Sequence, residues 1–235
     1  MSDLSLPGLV AEVGQGADLA ADPTYILVKD PDARSYTDGT LAEAVSLLES
    51  RFPGVTVGVA SHLPETLAEF AERWPAPCTR VAQIELNAVN HRISAPAAAR
   101  LAARGWEVWA MQPLAYGFLA RPDFVPTPGT DWRAGLPSDV QAALRAAGRG
   151  FARAVRSVAE SEGPTTVVGP VTLAAWAVAF CLSMPSVTRT VIGPKNAAQL
   201  EAAILALDIA SDPDLADRLR TWAMGASSGI RSAPR

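Results

Sequence analysis

Apolar residues in this chain follow two alternating rhythms. Short runs, β-branched or aromatic, occur at Tyr25 to Val28, Val55 to Val59, Val81 to Leu86, Trp106 to Met111 and Thr188 to Ile192. Bounded by glycine, proline or polar residues, such runs predict strands. Between them, apolar residues recur every three or four positions, which predicts helices. Thr40 is expected to cap a helix whose apolar face is Leu41, Ala44, Leu47 and Leu48. Pro64 opens another through Arg73, as proline does at a first helical position. Further helices are expected at Ala95 to Ala103 with Gly105 at its end, Ser138 to Glu160, Val171 to Leu182 and Asp212 to Met224. Near the end of the chain Gly193-Pro194 breaks a strand and Asn196 caps a helix, with Leu200, Ile204 and Leu207 on one face.

Two regions escape this pattern. Residues 1–24 hold at most one helix, near Leu6 to Glu12, before a loop rich in Gly, Asp and Ala. Pro113 to Pro137 has five prolines and several glycines and reads as a long loop, a kind that is often functional. The tail after Gly225 is expected to be mobile. Strand-helix alternation predicts an α/β fold, a parallel sheet with about five β-α units and helices packed outside it. A doubly wound sheet and a (β/α) barrel fit that count equally well.

Composition narrows the partners more than the fold. The chain has 235 residues, a net charge of −4, 49% hydrophobic and 19% charged residues. That length suffices for a sizeable core. Mild acidity without a basic run argues against nucleic acid. Two cysteines and two histidines lack metal-site spacing, so no metal site or disulfide framework is expected. The longest apolar run, Val171 to Met184, is too short to span a bilayer. The N-terminus lacks the basic-then-apolar order of a signal peptide, and a cytoplasmic protein is expected. The usage of Ala, Arg, Gly and Pro suits a GC-rich bacterium.

In parallel α/β folds functional groups gather at the carboxyl ends of the strands. Those ends hold Lys29 and Asp30, Ser61 and His62, Glu85 and Asn87, Gln112, and Lys195, with Tyr116, Asp123, Asp131 and Trp132 on the long loop. Together they suit a polar or anionic small molecule. Lys29 is a candidate base or Schiff-base nucleophile if desolvated, and a structural ion-pair partner of Asp30 or Glu85 otherwise. His62 is a candidate general acid or base, and a solvated loop histidine otherwise. His91 lines the same mouth or caps the next helix. Lys195 in a tight turn before a helix N-terminus makes an anion site. Trp106, Trp109, Trp132, Trp176 and Trp222 read as core or loop anchors rather than a stacking platform.

Five motifs, in order, resemble the last five units of the aldo/keto reductases. Tyr25-Ile-Leu-Val-Lys-Asp-Pro31 resembles the strand that reads L-Y-L-I-H-W-P in that family. Gly58-Val-Ala-Ser-His-Leu-Pro-Glu-Thr-Leu67 resembles G-V-S-N-F-S-P-E-Q-L, and Gln83-Ile-Glu-Leu-Asn-Ala-Val-Asn90 resembles Q-I-E-Y-N-L-L-N. Ala110-Met-Gln-Pro-Leu-Ala-Tyr-Gly117 resembles A-Y-S-P-L-G-G-G, and the stretch from Val191 resembles V-I-P-G-A-R-S-P-E-Q-L-E-E-N. The resemblance implies one domain over 1–235, a partial or modified TIM-type barrel, and a groove for NADP(H) made by Gln83, Lys195 and Asn196. It also implies departures. The family's Asp, Tyr and Lys come from units for which residues 1–24 leave no room, and its His position is Lys29. The helper pair beside the nicotinamide is Ala60-Ser61, the stacking aromatic is Met111, the following Ser is Gln112, and the adenine-reading pair is Ala202-Ala203.

The cofactor expectation is therefore none, or NADP weakly held. Three functions follow. One is a non-redox enzyme doing cyclisation, dehydration or isomerisation on a small organic substrate. Its expected catalytic residues are Lys29, His62 and Asp30, with Ser61, Asn87, His91, Gln112, Tyr116 and Trp132 around the substrate. Another is an NADP(H) oxidoreductase completed by a second chain, and the third a non-catalytic accessory protein. Five barrel strands leave two open edges, so a homo-oligomer or a completing partner chain is expected.

Overall fold

The computed structural model describes residues 24–74, 80–162 and 170–225. The expected helix near Leu6 to Glu12, Cys78, the Trp222 side chain and the tail after Gly225 lie outside the described residues. Five strands form one sheet in the order β1-β2-β3-β4-β5: Tyr25–Lys29, Thr56–Ser61, Arg80–Glu85, Trp106–Met111 and Arg189–Thr190. The helices are α1 (Thr40–Arg51), α2 (Pro64–Arg73), α3 (His91–Ala103), α4 (Ser138–Glu162), α5 (Pro170–Leu182), α6 (Ala197–Ser211) and α7 (Pro213–Gly225). The strands are parallel and alternate with helices, as the sequence pattern predicts. Strands buried on both faces read as apolar runs, and Val57, Val59, Val81, Ala82 and Ile84 are buried in β2 and β3. The chain divides into two compact units, one of residues 1–84 and 96–109, the other of 85–95 and 110–235.

In the first unit, β1 pairs with β2 so that Lys29 lies opposite Ala60, and β2 pairs with β3 so that Ser61 lies opposite Ile84. This register brings Lys29 and Asp30 beside Ser61 and His62. Gly58 makes it possible. A Cβ there would lie 2.3 Å from the Val81 carbonyl oxygen and 2.7 Å from Leu27 Cδ2. Helix α1 buries Leu41, Ala44, Val45 and Leu48, while Leu47 is half-buried. Thr40 is its first residue rather than its cap: Gly39 precedes it at φ 94°, and Asp38 Oδ1 accepts the Thr40 N–H at 3.0 Å. Helix α2 occupies the expected span and buries Leu67, Ala68, Phe70 and Ala71. Arg100 on α3 holds α2 through Glu65 at 2.8 Å and Glu72 at 2.7 Å.

Helix α3 begins at His91, a turn before the expected Ala95. The Asn90 carbonyl accepts from Ile93 and Ser94, which starts the helix early. Pro96 then sits inside it, where a sequence reading takes proline for a helix start.

In the second unit, β5 keeps only two of the five expected residues, and Val191 N–H donates to Ala110 O at 2.8 Å. The long loop contains two short 3-10 turns, Ala115–Gly117 and Trp132–Gly135. Gly148 lets α4 press against it, since a Cβ there would lie 2.3 Å from Phe118 O. Helix α5 buries nearly every residue from Leu173 to Cys181. Helix α6 buries Ala202, Ala206 and Ile209, whereas the expected inner face of Leu200, Ile204 and Leu207 is exposed. Among the described residues no helix is long and apolar enough to cross a membrane.

Candidate functional site

Four non-glycine residues among those described have left-handed backbones: Asp30, Gln112, Ala115 and Tyr116, with φ from 45° to 59°. Such backbones cost energy and cluster where a fold holds a side chain for a purpose. Asp30 follows β1 and Gln112 follows β4. Both therefore lie at carboxyl ends of strands, where the sequence reading expects function.

At the end of β1, the Asp30 N–H donates to Ala60 O at 2.7 Å, which pins the turn to β2. His62 Nε2 then stands 3.7 Å from Asp30 Oδ1, with the two side chains 24% and 35% exposed. The structure thus joins two of the three expected catalytic residues into a pair that water and a small molecule can reach. The third, Lys29, is exposed, so the desolvated setting that a nucleophilic lysine needs is missing.

Beneath the pair lies a contact that sequence reasoning missed. The Tyr36 hydroxyl donates to Ser61 Oγ at 2.6 Å, and Ser61 Oγ also accepts the Leu63 N–H at 3.0 Å. Both Tyr36 and Ser61 are buried. Burial, with the Asp30 carboxylate adding to it, pushes the Tyr36 hydroxyl up to about 12, against a lowering by Ser61. A phenol so raised is a poor proton donor at neutral pH. Tyr36 and Ser61 therefore support the turn that carries His62, and Ser61, expected beside a substrate, is buried with its hydroxyl oxygen accepting both bonds. The loop that carries Tyr36 is tied by Asp32, which accepts from the Ser35 N–H and hydroxyl, and by Asp38; these bonds hold both carboxyls below the usual range.

The second unit holds the remaining expected residues. Asn87 Oδ1 accepts from Val89 and Asn90 N–H, and its amide donates to Gln112 O. Asn90 answers it, accepting the Asn87 N–H and donating to Glu85 O. Asn87 thus spends its amide on the backbone. Asn90 was also missed, although the Asn-x-x-Asn spacing is a turn signal. His91 is buried at the start of α3, with Nδ1 3.2 Å from Ala88 O and its ring edge-on to Phe180. Of its two expected places it takes the helix start. Gln112 Oε1 is buried with no hydrogen-bond partner. Tyr116 packs edge-on against exposed Trp132 at 5.4 Å, and its carbonyl accepts from Arg133 at 2.7 Å. Arg133 also grips both Asp131 oxygens and stacks over Phe124. This clamp holds the Asp131 carboxyl below its usual range.

Gln83 lies in β3 opposite Ala60. Lys195 and Asn196 occupy the turn before α6. Asn196 Oδ1 caps the helix by accepting the Gln199 N–H, as expected, and the Lys195 N–H donates to Gln199 Oε1. Both residues are exposed. Among the described residues no cluster of His, Cys, Asp and Glu has a metal-binding arrangement.

Parallel strands alternating with helices in one five-stranded sheet are the arrangement of a partial (β/α) barrel. The chain is similar in fold to the aldo-keto reductase AKR11C1 from Bacillus halodurans in its holo form. The TM-score is 0.61 at 17% identity, over 95% of this chain and 69% of that one. It is similar also to the glycerol dehydrogenase AKR11B4 from Gluconobacter oxydans, with TM-score 0.67 at 17% identity, over 99% of this chain and 68% of that one. No family model and no curated protein matches its sequence.

Proposed function

We propose that this chain is a non-redox enzyme on an aldo-keto-reductase-like scaffold, moving protons on a small polar organic substrate in a cyclisation, dehydration or isomerisation. The His62–Asp30 pair carries the reading. The Asp30 carboxylate orients the imidazole, leaving the other ring nitrogen to take or give the substrate proton. A separation of 3.7 Å is long for a hydrogen bond, as such pairs often are before a substrate tightens them. Lys29, exposed beside Asp30, supplies a cation for an anionic group of the substrate.

Proton exchange tests this without knowledge of the substrate. Small hydroxy and keto acids are incubated with the protein in D2O, and loss of carbon-bound protons is followed by NMR. Wild type should accelerate exchange for some of them, and His62→Ala should lower the rate on the order of 100-fold or more. Wild-type rates in both His62→Ala and Asp30→Asn would sink the proposal.

A second reading, an NADP(H) oxidoreductase, is favoured by the exposed Lys195 beside the N-terminus of α6. Cation and helix end suit a phosphate. The nicotinamide end does not fit. Met111 offers no aromatic face, and Gln112 leaves a buried amide oxygen unanswered. Titration with NADPH decides between the readings: saturable micromolar binding, lost in Lys195→Ala, favours the redox one.

A further inference from the structure

Helix α6 is apolar nearly all round, a composition suited to a helix covered on every side. Ala202, Ala206 and Ile209 are buried, and it packs most extensively on α5. Three other large apolar residues of the helix face away from that side. Leu200, Ile204 and Leu207, spaced along one face, are 50%, 56% and 59% exposed. Three large exposed apolar residues in register on one helix face mark an interaction site rather than scattered surface leucines. Spacings of four and three residues make the stripe a helix-docking seam, about 10 Å from Leu200 to Leu207 at 1.5 Å per residue.

The charges around it indicate the occupant. Between Lys195 and Arg218 the chain has Glu201, Asp208, Asp212, Asp214 and Asp217 and no basic residue. Glu201 and Asp208 are exposed and lie together on one flank of the stripe. Asp212 and Asp214 follow at its carboxyl end. A second copy packed antiparallel on this face would bring Glu201 against the partner's Asp208, acid on acid. We propose that the outer face of α6 docks a helix of another protein, with apolar residues at positions i, i+4 and i+7 flanked by Lys or Arg. Its positive amino end lies beside Asp212 and Asp214. The surface is independent of the His62–Asp30 reading.

The test uses the full 235-residue chain and two designed helical peptides. One carries leucines at i, i+4 and i+7 flanked by lysines. The other has the same leucines flanked by glutamates. By fluorescence anisotropy the lysine peptide should bind saturably at 1:1, at least about 10-fold tighter than the glutamate peptide, and more weakly as salt rises. Ile204→Asp should weaken it about 10-fold or more, despite adding a negative charge, because the apolar seam is cut. The doubly changed Glu201→Lys/Asp208→Lys chain should reverse the preference. Circular dichroism should show each variant keeping its helices, as expected for exposed positions. Undiminished binding in Ile204→Asp would reduce the effect to general charge attraction and overturn the proposal. So would a failure to bind either peptide, or a sedimentation dimer of the chain that Ile204→Asp dissociates, which would make the occupant a second copy.

Discussion

Tyr36 and Ser61, 25 positions apart in sequence, share a buried 2.6 Å hydrogen bond directly beneath the turn that carries His62. Tyr36→Phe should cost about 1 kcal/mol of stability in urea unfolding, since Ser61 loses one of its two donors and keeps Leu63. Tyr36 also sets an alkaline limit. Its folded-state value of about 12 lies above the ordinary 10. The unfolded chain therefore loses the proton first, and stability falls as pH rises from 10 to about 12. Tyr36→Phe should flatten that decline, as followed by unfolding curves between pH 9 and 12.

Asp30 has a backbone better suited to glycine. Asp30→Gly should be at least as stable as wild type, and Asp30→Ala less stable than Asp30→Gly by about 1 kcal/mol. Both should lose the proton-exchange activity. Retained activity in Asp30→Gly would mean that His62 works without its neighbour.

Gly58 has no room for a methyl group. Gly58→Ala must part β2 from β3, because the obstacle is the Val81 carbonyl rather than a flexible side chain. A loss of about 3 kcal/mol is expected in chemical denaturation. Glycine to alanine at Gly129, where a Cβ meets nothing within 4 Å but φ is 81°, should cost only the backbone strain, about 1 kcal/mol.

Asp131 sets an acid limit on the long loop. Arg133 depresses its folded-state value, so its stabilisation is present above the ordinary carboxylate range and is lost as pH falls through the depressed value. Trp132 fluorescence should report the loop loosening on acidification. Asp131→Asn should show the loosened signal already at neutral pH.

The first four strands and α2 were legible because burial on both faces or on one stripe leaves a periodic mark in the residues. Helix α6 shows where that mark fails. Two stripes of the same period run along it, Leu200-Ile204-Leu207 and Ala202-Ala206-Ile209, and periodicity alone favours the larger side chains. The fold buries the second stripe, and α6 packs most extensively on α5. Strand β5 was overestimated for a related reason, since Val191 and Ile192 have strand-forming side chains but an exposed setting. At the site, His62 and Asp30 could be named as the ends of neighbouring strands. Tyr36 could not, because nothing in a polar loop predicts that one tyrosine folds inward.

The bonds from Arg133 to Asp131 and to the Tyr116 carbonyl bear on how a ligand would enter. Side chains ordered before a ligand arrives need no further ordering when it binds, and ordering otherwise costs roughly 0.5–1.5 kcal/mol for each immobilised side chain. Against any ligand that enters there, the Tyr116–Trp132 surface would act as a rigid wall rather than a closing flap. Discrimination would then rest on shape at first encounter, and a poorly shaped molecule would gain nothing by waiting.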